Sequence, residues 1–354
     1  MSQLNHISIS ILGLGKVGGE LLRQILMTRE LLAHRKGVRV DVTAVNDIRL
    51  NIRDSAGIKD AWLHQVLEHR RVGSPLGEIP VSQLFEVPQA GEILVDTTAS
   101  DTSVETLLSA LDRGCGVVLA NKKPLCGSWS QAQKIFQSPN ARWEVTVGAG
   151  LPVISTINYL RNTGDKVRQI VGCLSGTLGY LCSRLQTGES YSQIVSHALG
   201  LGYTEPDPRD DLGGMDVARK ILILARTSGY SLELSDITIE ALFPQNLKEI
   251  PLDNFMTRLN EADEAYKERV ANAAASHEVL RYIARVDSSG GSAALTGVKT
   301  GTLPSILNGP ESFISITTDR YSSTPLVVTG PGAGPAVTAA GVFEDIIELG
   351  LQMV

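Results

Sequence analysis

The sequence predicts an α/β protein: an N-terminal Rossmann-type, doubly wound parallel sheet, then a second domain of α+β type. Three observations carry this. Short apolar runs alternate with helix-period segments over residues 1–150, and such alternation means an open parallel sheet with helices on both faces. A glycine-rich turn, Gly13-Leu-Gly15-Lys-Val-Gly18, follows the first apolar run. Aromatic residues make up only 5% of the chain, so Ile, Leu, Val and Ala must build the core, which suits helices packed on parallel strands.

Each element follows from its own pattern. Residues 6–12 form the first strand, and 20–32 a helix with Leu21, Leu22, Ile25 and Leu26 on one side. Strands are expected at 38–45, 93–97 and 116–120, a helix at 102–113, and a closing strand at 143–147. The pattern changes after Gly150. Helices are expected at 152–160, 178–186, 190–199, 212–226 and 253–270. Strands are expected at 167–174, 278–286, 293–298, 313–318 and 326–329. A glycine-rich turn from Gly330 to Gly334 leads to a last helix over 337–349. The first domain is thus 1–150, joined by the C-terminal segment 330–354, and the second is 151–329.

Composition narrows the function. The 354 residues are 43% hydrophobic and 20% charged, a soluble globular make-up, and this length predicts two domains. The net charge is -6 and the pI about 5.6. Basic residues cluster only as the pairs Arg70-Arg71 and Lys122-Lys123. Nucleic acid is therefore excluded as a partner, because it needs a concentrated basic face. No stretch reaches the roughly 18 uninterrupted apolar residues of a membrane span, so no membrane partner is expected. The N-terminus reads as a strand and not as a signal peptide. Cys115, Cys126, Cys173 and Cys182 form no CxxC pair and sit in apolar surroundings. Buried, reduced thiols in a cytoplasmic protein are expected.

Five segments could carry chemistry. In the GxGxxG turn, Gly13 allows the sharp bend, Gly15 lets the backbone approach a pyrophosphate, and Gly18 lets helix pack on strand. The helix start at Lys16 and Val17 then attracts phosphate charge. At the end of the second strand, Asp47 suits a ribose 2′-hydroxyl and Arg49 a 2′-phosphate, which leaves NAD and NADP both open. Lys122 and Lys123, in Ala120-Asn-Lys-Lys-Pro124, follow a strand whose carboxyl end opens on the ligand crevice. In the segment from Glu144 to Pro152, one carboxylate precedes two glycines. It reads locally as a hinge or as a monovalent-cation site built with backbone carbonyls. The densest segment is GYTEPDPRDD, residues 202–211, followed by Met215-Asp-Val-Ala-Arg-Lys220. Asp216 and Lys220 share one helix face at i,i+4. The rest of that helix is apolar nearly all round, so it is largely buried. Its charged stripe faces water or lines a cleft, with Glu205 held over the same cleft by a loop stiffened by two prolines.

These stretches together resemble the homoserine dehydrogenases. The matching segments are GLGKVGGELL, ANKKP, VTVGAGLPVI, LSGTLGYL, GYTEPDPRDDLGGMDVARK and GPGAGPAVTAAGVFEDI, in the family's order from Ile9 almost to the end. The wording is closest to the dehydrogenase half of the bifunctional aspartokinase–homoserine dehydrogenases, without the kinase half. Gly179 departs from the family pattern, which usually has Asn or Ser there.

The resemblance implies NAD- or NADP-linked, reversible interconversion of L-aspartate 4-semialdehyde and L-homoserine, an amino-acid substrate and a homodimer. It implies Lys220 as the catalytic lysine that donates a proton to the carbonyl oxygen, and Lys122 as a second active-site lysine near the nicotinamide. Glu205, Asp216 and the Gly202 backbone would hold homoserine. Thr98 and Gly334 would add cofactor contacts to those of Gly13, Gly15, Lys16, Val17 and Gly18. Glu144, Val147, Ala149 and Leu151 would form a Na+ or K+ site, which favours the cation over the hinge. The second domain would bind substrate and dimerise. The alternatives are another nicotinamide-linked amino-acid dehydrogenase and a catalytically silent nucleotide sensor. The GYTEPDPRDDL block argues against the first, and the intact Lys220, Asp216, Glu205 and Lys122 against the second. With little chain outside the two domains, allosteric feedback by threonine is not expected.

Overall fold

Strand β1 (Asn5–Leu12) buries Ile7, Ile9 and Ile11 almost completely, and the first unit is built outward from it. The computed structural model describes residues 4–48, 50–74, 76, 87–307 and 311–353. It divides into two units, Met1–Gly150 with Gly334–Val354, and Leu151–Ala333.

In the first unit, β1 is followed by β2 (Val38–Asp47), β3 (Leu50–Arg53), β4 (Ile93–Asp96), β5 (Gly116–Leu119) and β6 (Ala141–Arg142) in the spatial order β3-β2-β1-β4-β5-β6. β1, β2, β4, β5 and β6 pair in parallel. β3 departs from the expected all-parallel sheet by turning back antiparallel on β2, because Leu50 and Ile52 alternate with polar neighbours and bury one face. The strand order reverses between β1 and β4, and the carboxyl ends of the strands there flank the crevice in which such sheets bind ligands.

The first helix, Lys16–Lys36, runs longer at both ends than expected. It closes on Gly37 in the left-handed region and puts Leu21, Leu22 and Ile25 into the core. The C-terminal helix, Pro335–Met353, adds Ala339, Val342, Ile346 and Leu349 to the same core. Gly334 thus opens its part of this unit, while Gly330 and Pro331 lie in the last strand of the other.

The strand expected at 143–147 is not formed. β6 stops at Arg142, and Glu144–Thr146 coil into a 3-10 turn. The reason is local: Thr146 donates both its backbone N–H (3.1 Å) and its Oγ1 (2.7 Å) to the Trp143 carbonyl, a side-chain bond that competes with strand pairing.

The second unit holds β7 (Val167–Cys173), β8 (Ile237–Ile239), β9 (Glu278–Asp287), β10 (Gly290–Lys299), β11 (Glu311–Thr318) and β12 (Leu326–Pro331), ordered β12-β11-β7-β9-β10-β8. All neighbours are antiparallel except β8 and β10.

The long helix expected from residue 212 is broken. Arg209–Leu212 forms a short turn, and the main helix, Met215–Thr227, starts after Gly214. Gly214 has φ +72°, and a Cβ there would collide with the Tyr282 hydroxyl, so the break is set by packing. The main helix buries Val217, Ala218 and every residue from Ile221 to Thr227, as its apolar circumference predicts. The helix expected at 253–270 is two helices, Leu252–Arg258 and Asp263–Ala275, joined by a 3-10 turn.

Among the described residues no helix is long and apolar enough to cross a membrane. The four cysteines are free. Cys115, Cys173 and Cys182 are buried, while Cys126 is only partly so, contrary to expectation. Burial pushes the Cys173 and Cys182 thiols up to about 12, which keeps them protonated and unreactive.

Candidate active site

At the carboxyl end of β1 the chain turns at Gly13, with φ +84°. The Gly13 N–H donates to the Asn46 carbonyl at 2.7 Å, and Thr97 Oγ1 donates to the Gly13 carbonyl at 2.6 Å. A Cβ on Gly18 would lie far inside contact distance of the Gly13 carbonyl oxygen, so only glycine lets this helix approach. A Cβ on Gly15 would meet nothing within 4 Å. Gly15 caps the first helix with no side-chain bond and no acidic residue in the first turn. Open space in front of uncapped helix N–H groups fits a pyrophosphate.

A cavity of about 270 Å³ lies beside this turn, lined by Gly13, Asn46, Asp47, Thr98 and Ser100 among others. Buried Asp96 accepts from the backbone N–H of Thr98 (2.9 Å) and from its Oγ1 (2.7 Å). Asn121 is the hub behind it, donating to Asp96 Oδ2 (3.1 Å), the Ser100 carbonyl (2.8 Å) and Ser103 Oγ (3.2 Å). The loops after β4 and β5 are therefore tied together. Asn121 Oδ1 also accepts the Lys123 N–H at 3.1 Å, which starts the short helix Lys123–Cys126 with Lys122 at its cap. Lys123 Nζ donates to Asp101 at 2.7 Å, so of the two adjacent lysines Lys123 is the one engaged with this surface carboxylate.

In the second unit, β7 ends beside the main helix. Lys220 Nζ lies 2.7 Å from Asp216 Oδ2 and donates to the Leu174 carbonyl at 2.7 Å. Asp216 is about half exposed while Lys220 is mostly covered. Next to them, Thr177 Oγ1 donates to the Tyr203 carbonyl (2.6 Å) and to Asp211 Oδ1 (3.1 Å). Asp211 Oδ2 accepts the Glu205 N–H at 2.8 Å. Burial raises the Asp211 carboxyl above its usual range. The Glu205 and Thr177 hydrogen bonds oppose that rise, and the nearby Glu205 and Asp216 charges add to it. Asp216 thus pairs with the Lys220 ammonium, and its charge and that of Glu205 both reach Asp211, so this part of the second unit can hold a cationic group and move a proton.

The homoserine dehydrogenase family model matches residues 152–347, and the model of that family's NAD binding domain matches residues 13–145. The chain belongs to the homoserine dehydrogenase family. It is 39% identical over 275 residues to a homoserine dehydrogenase of Paracoccidioides brasiliensis, covering 73% of this chain and 74% of that one. It is 36% identical to a chloroplastic bifunctional aspartokinase/homoserine dehydrogenase 2 of Zea mays, covering 97% of this chain but 38% of the other. The chain thus spans about two-fifths of the length of the bifunctional relatives it matches. A homoserine dehydrogenase of a hyperthermophilic archaeon, solved with NADPH, shares the fold, with TM-score 0.73, 24% identity and 98% of each chain covered.

The sequence-predicted residues fall into two groups. Gly13, Gly15, Lys16, Val17, Gly18, Thr98 and Lys122 lie in the first unit, and Thr98 lines the cavity beside the glycine turn. Gly334 also belongs to that unit. It has φ +137°, and its carbonyl accepts the Thr338 N–H at 3.0 Å at the start of the C-terminal helix. Gly202, Glu205, Asp216 and Lys220 all belong to the second unit. Gly202 has φ +70° and is exposed, as is Glu205.

Glu144, Val147 and Ala149 are in the first unit and Leu151 is in the second. The Glu144 N–H donates to Asp345 at 3.0 Å, and burial pushes the Asp345 carboxyl well above its usual range. Ala149, at φ +54°, is one of two non-glycine residues in the left-handed region among those described. Arg49 lies outside the described residues. Among those described, no three His, Cys, Asp or Glu side chains gather as a metal site.

Sequence reasoning missed Thr177, Asp211, the Leu174 carbonyl and Arg70. Arg70 Nη1 comes within 3.9 Å of Asp47 Oδ2, a second basic group near the end of β2. A backbone carbonyl carries no sequence signal, but Asp211 sat inside the recognised GYTEPDPRDDL block.

The two glycines of the turn give a separable prediction. Gly18→Ala should lower stability by about 1–3 kcal/mol through overpacking. Gly15→Ala should leave the thermal midpoint near wild type and weaken NAD(P) binding. Thermal melts and nucleotide titration of the two variants check this.

Proposed function

We propose that the chain catalyses the reversible NAD(P)-linked reduction of L-aspartate 4-semialdehyde to L-homoserine, in the biosynthesis of threonine, methionine and isoleucine. The observation that supports it most is the Lys220 ammonium, held by Asp216 and the Leu174 carbonyl within the stretch that the family model covers. Glycines 13, 15 and 18 with the first-helix N-terminus would hold the dinucleotide, joined by Thr98, Lys122 and Gly334. A bound nicotinamide supplies or accepts the hydride.

The residues of the second unit do the rest. As the aldehyde is reduced, negative charge builds on its oxygen. The Lys220 ammonium stabilises that charge and donates the proton. In the oxidative direction Lys220 acts as the neutral amine and receives the proton of the hydroxyl group. Asp216 keeps the ammonium aligned. The Glu205 carboxylate pairs with the substrate ammonium, beside the Gly202 backbone, and Asp211 holds the Glu205 main chain in place.

Glu144 with the carbonyls of Val147, Ala149 and Leu151 would bind Na+ or K+, since a single carboxylate among neutral oxygens suits a monovalent ion. The left-handed Ala149 is the feature that supports this turn as a built site. We also propose a homodimer working in the cytoplasm, a reducing compartment that suits four free cysteines.

Lys220→Ala should lower kcat by roughly two to four orders of magnitude with cofactor binding near normal, read by nicotinamide absorbance with L-homoserine. A near wild-type kcat would remove Lys220 as the acid. Glu205→Ala should raise the homoserine KM and spare that of the nucleotide. Equal damage to both constants would indicate a collapsed loop. Activity should fall when Na+ and K+ are replaced by a bulky organic cation and return on adding either ion. Indifference to that exchange would refute the cation site.

A further inference from the structure

The loop that carries Glu205 is exposed, yet it leads into a short helix, Arg209–Leu212, that is fastened on its far side by one side chain. The Arg209 guanidinium uses all three of its nitrogens. Nε donates to both Asp207 oxygens (2.9 and 3.1 Å), and Nη2 donates to Asp207 Oδ2 at 2.6 Å. Nη1 donates to the carbonyls of Lys248 (2.9 Å) and Ile250 (2.6 Å). The cation lies 5.1 Å from the ring centre of Phe255, which is fully buried. An exposed ion pair holds little by itself. This one is mostly covered, forked on one partner and bonded to two backbone carbonyls 39 and 41 residues away.

The position of Glu205 depends on this helix from both directions. Asp207, gripped by the fork, is two residues from Glu205, with Pro206 between them restricting the chain. Asp211, on the short helix itself, accepts the Glu205 N–H. A second tether, the Leu242 N–H on the Leu212 carbonyl at 2.8 Å, fastens the other end of the helix.

We propose that Arg209 is a positioning residue for substrate binding: it clamps the Arg209–Leu212 helix to the 248–250 segment and thereby fixes Glu205 where the substrate ammonium binds. This rests on the reading of Glu205 given above. The planar fork is what the role requires. A lysine keeps the charge but cannot span a carboxylate and two carbonyls at once.

The test compares Arg209→Lys, Arg209→Ala, Glu205→Ala and the Arg209→Ala/Glu205→Ala double variant in the full chain. Both Arg209 variants should raise the homoserine KM by roughly ten- to a hundredfold, as a misplaced binding group does, with the nucleotide KM unchanged. If Arg209 acts through Glu205, the double variant should have the KM of Glu205→Ala alone. Additive effects, a wild-type KM in Arg209→Ala, or an equal rise in the nucleotide KM would overturn the proposal. Amide hydrogen exchange over residues 203–211 gives a readout independent of turnover, and should quicken in Arg209→Lys. Unchanged exchange there would overturn the clamp. Absence of homoserine turnover by the wild-type chain would instead overturn the reading of function, and exchange would still judge the clamp. Arg209→Lys decides if Arg209→Ala fails to fold.

Discussion

A lysine that is mostly covered must find partners for its ammonium, because an unpaired charge taken from water is far more costly than any packing it gains. Lys220 meets this requirement with one carboxylate from its own helix and one carbonyl from the end of β7. The first contact moves with the helix, but rotating or sliding the helix would break the second, to the Leu174 carbonyl. Its buried residues, from Ile221 to Thr227, lock the same orientation from the other side. Packing and charge pairing therefore agree on one geometry, and the half-exposed Asp216 marks where that geometry meets solvent.

In the second unit, Asp211 lies within the field of two other carboxylates. Glu205 and Asp216 both act to raise the Asp211 carboxyl, while hydrogen bonds from Thr177 and the Glu205 N–H hold it down. The Glu205 loop is held at its backbone by two side chains. Glu205 is held through its N–H by Asp211, and the Tyr203 carbonyl by Thr177.

The first unit solves a different problem, the close approach of backbone to a bulky anion. Gly18 removes the side chain that would strike the Gly13 carbonyl, and Gly15 leaves space in front of the helix. Asn121 then ties the loops after β4 and β5 to buried Asp96, so the ANKKP segment contributes a structural amide as well as its lysines. Its first lysine caps a short helix, and its second is committed to Asp101.

Periodicity and turn chemistry are local properties, and the sequence by itself determined what depends on them. The β-strands around the GxGxxG turn, the buried character of the Met215–Thr227 helix and the Asp216–Lys220 pair were all legible, because each is written within one or two turns of chain. The 143–147 strand was misread because a threonine bond to its own backbone outweighed the alternating pattern. Only the tertiary structure decided which groups complete the site. The Leu174 carbonyl is 46 residues from Lys220, Thr177 is 34 from Asp211, and the Arg209 clamp spans 39. Such partners are chosen by where strands and helices pack. A carbonyl oxygen is the same at every position, so no residue pattern could have named it.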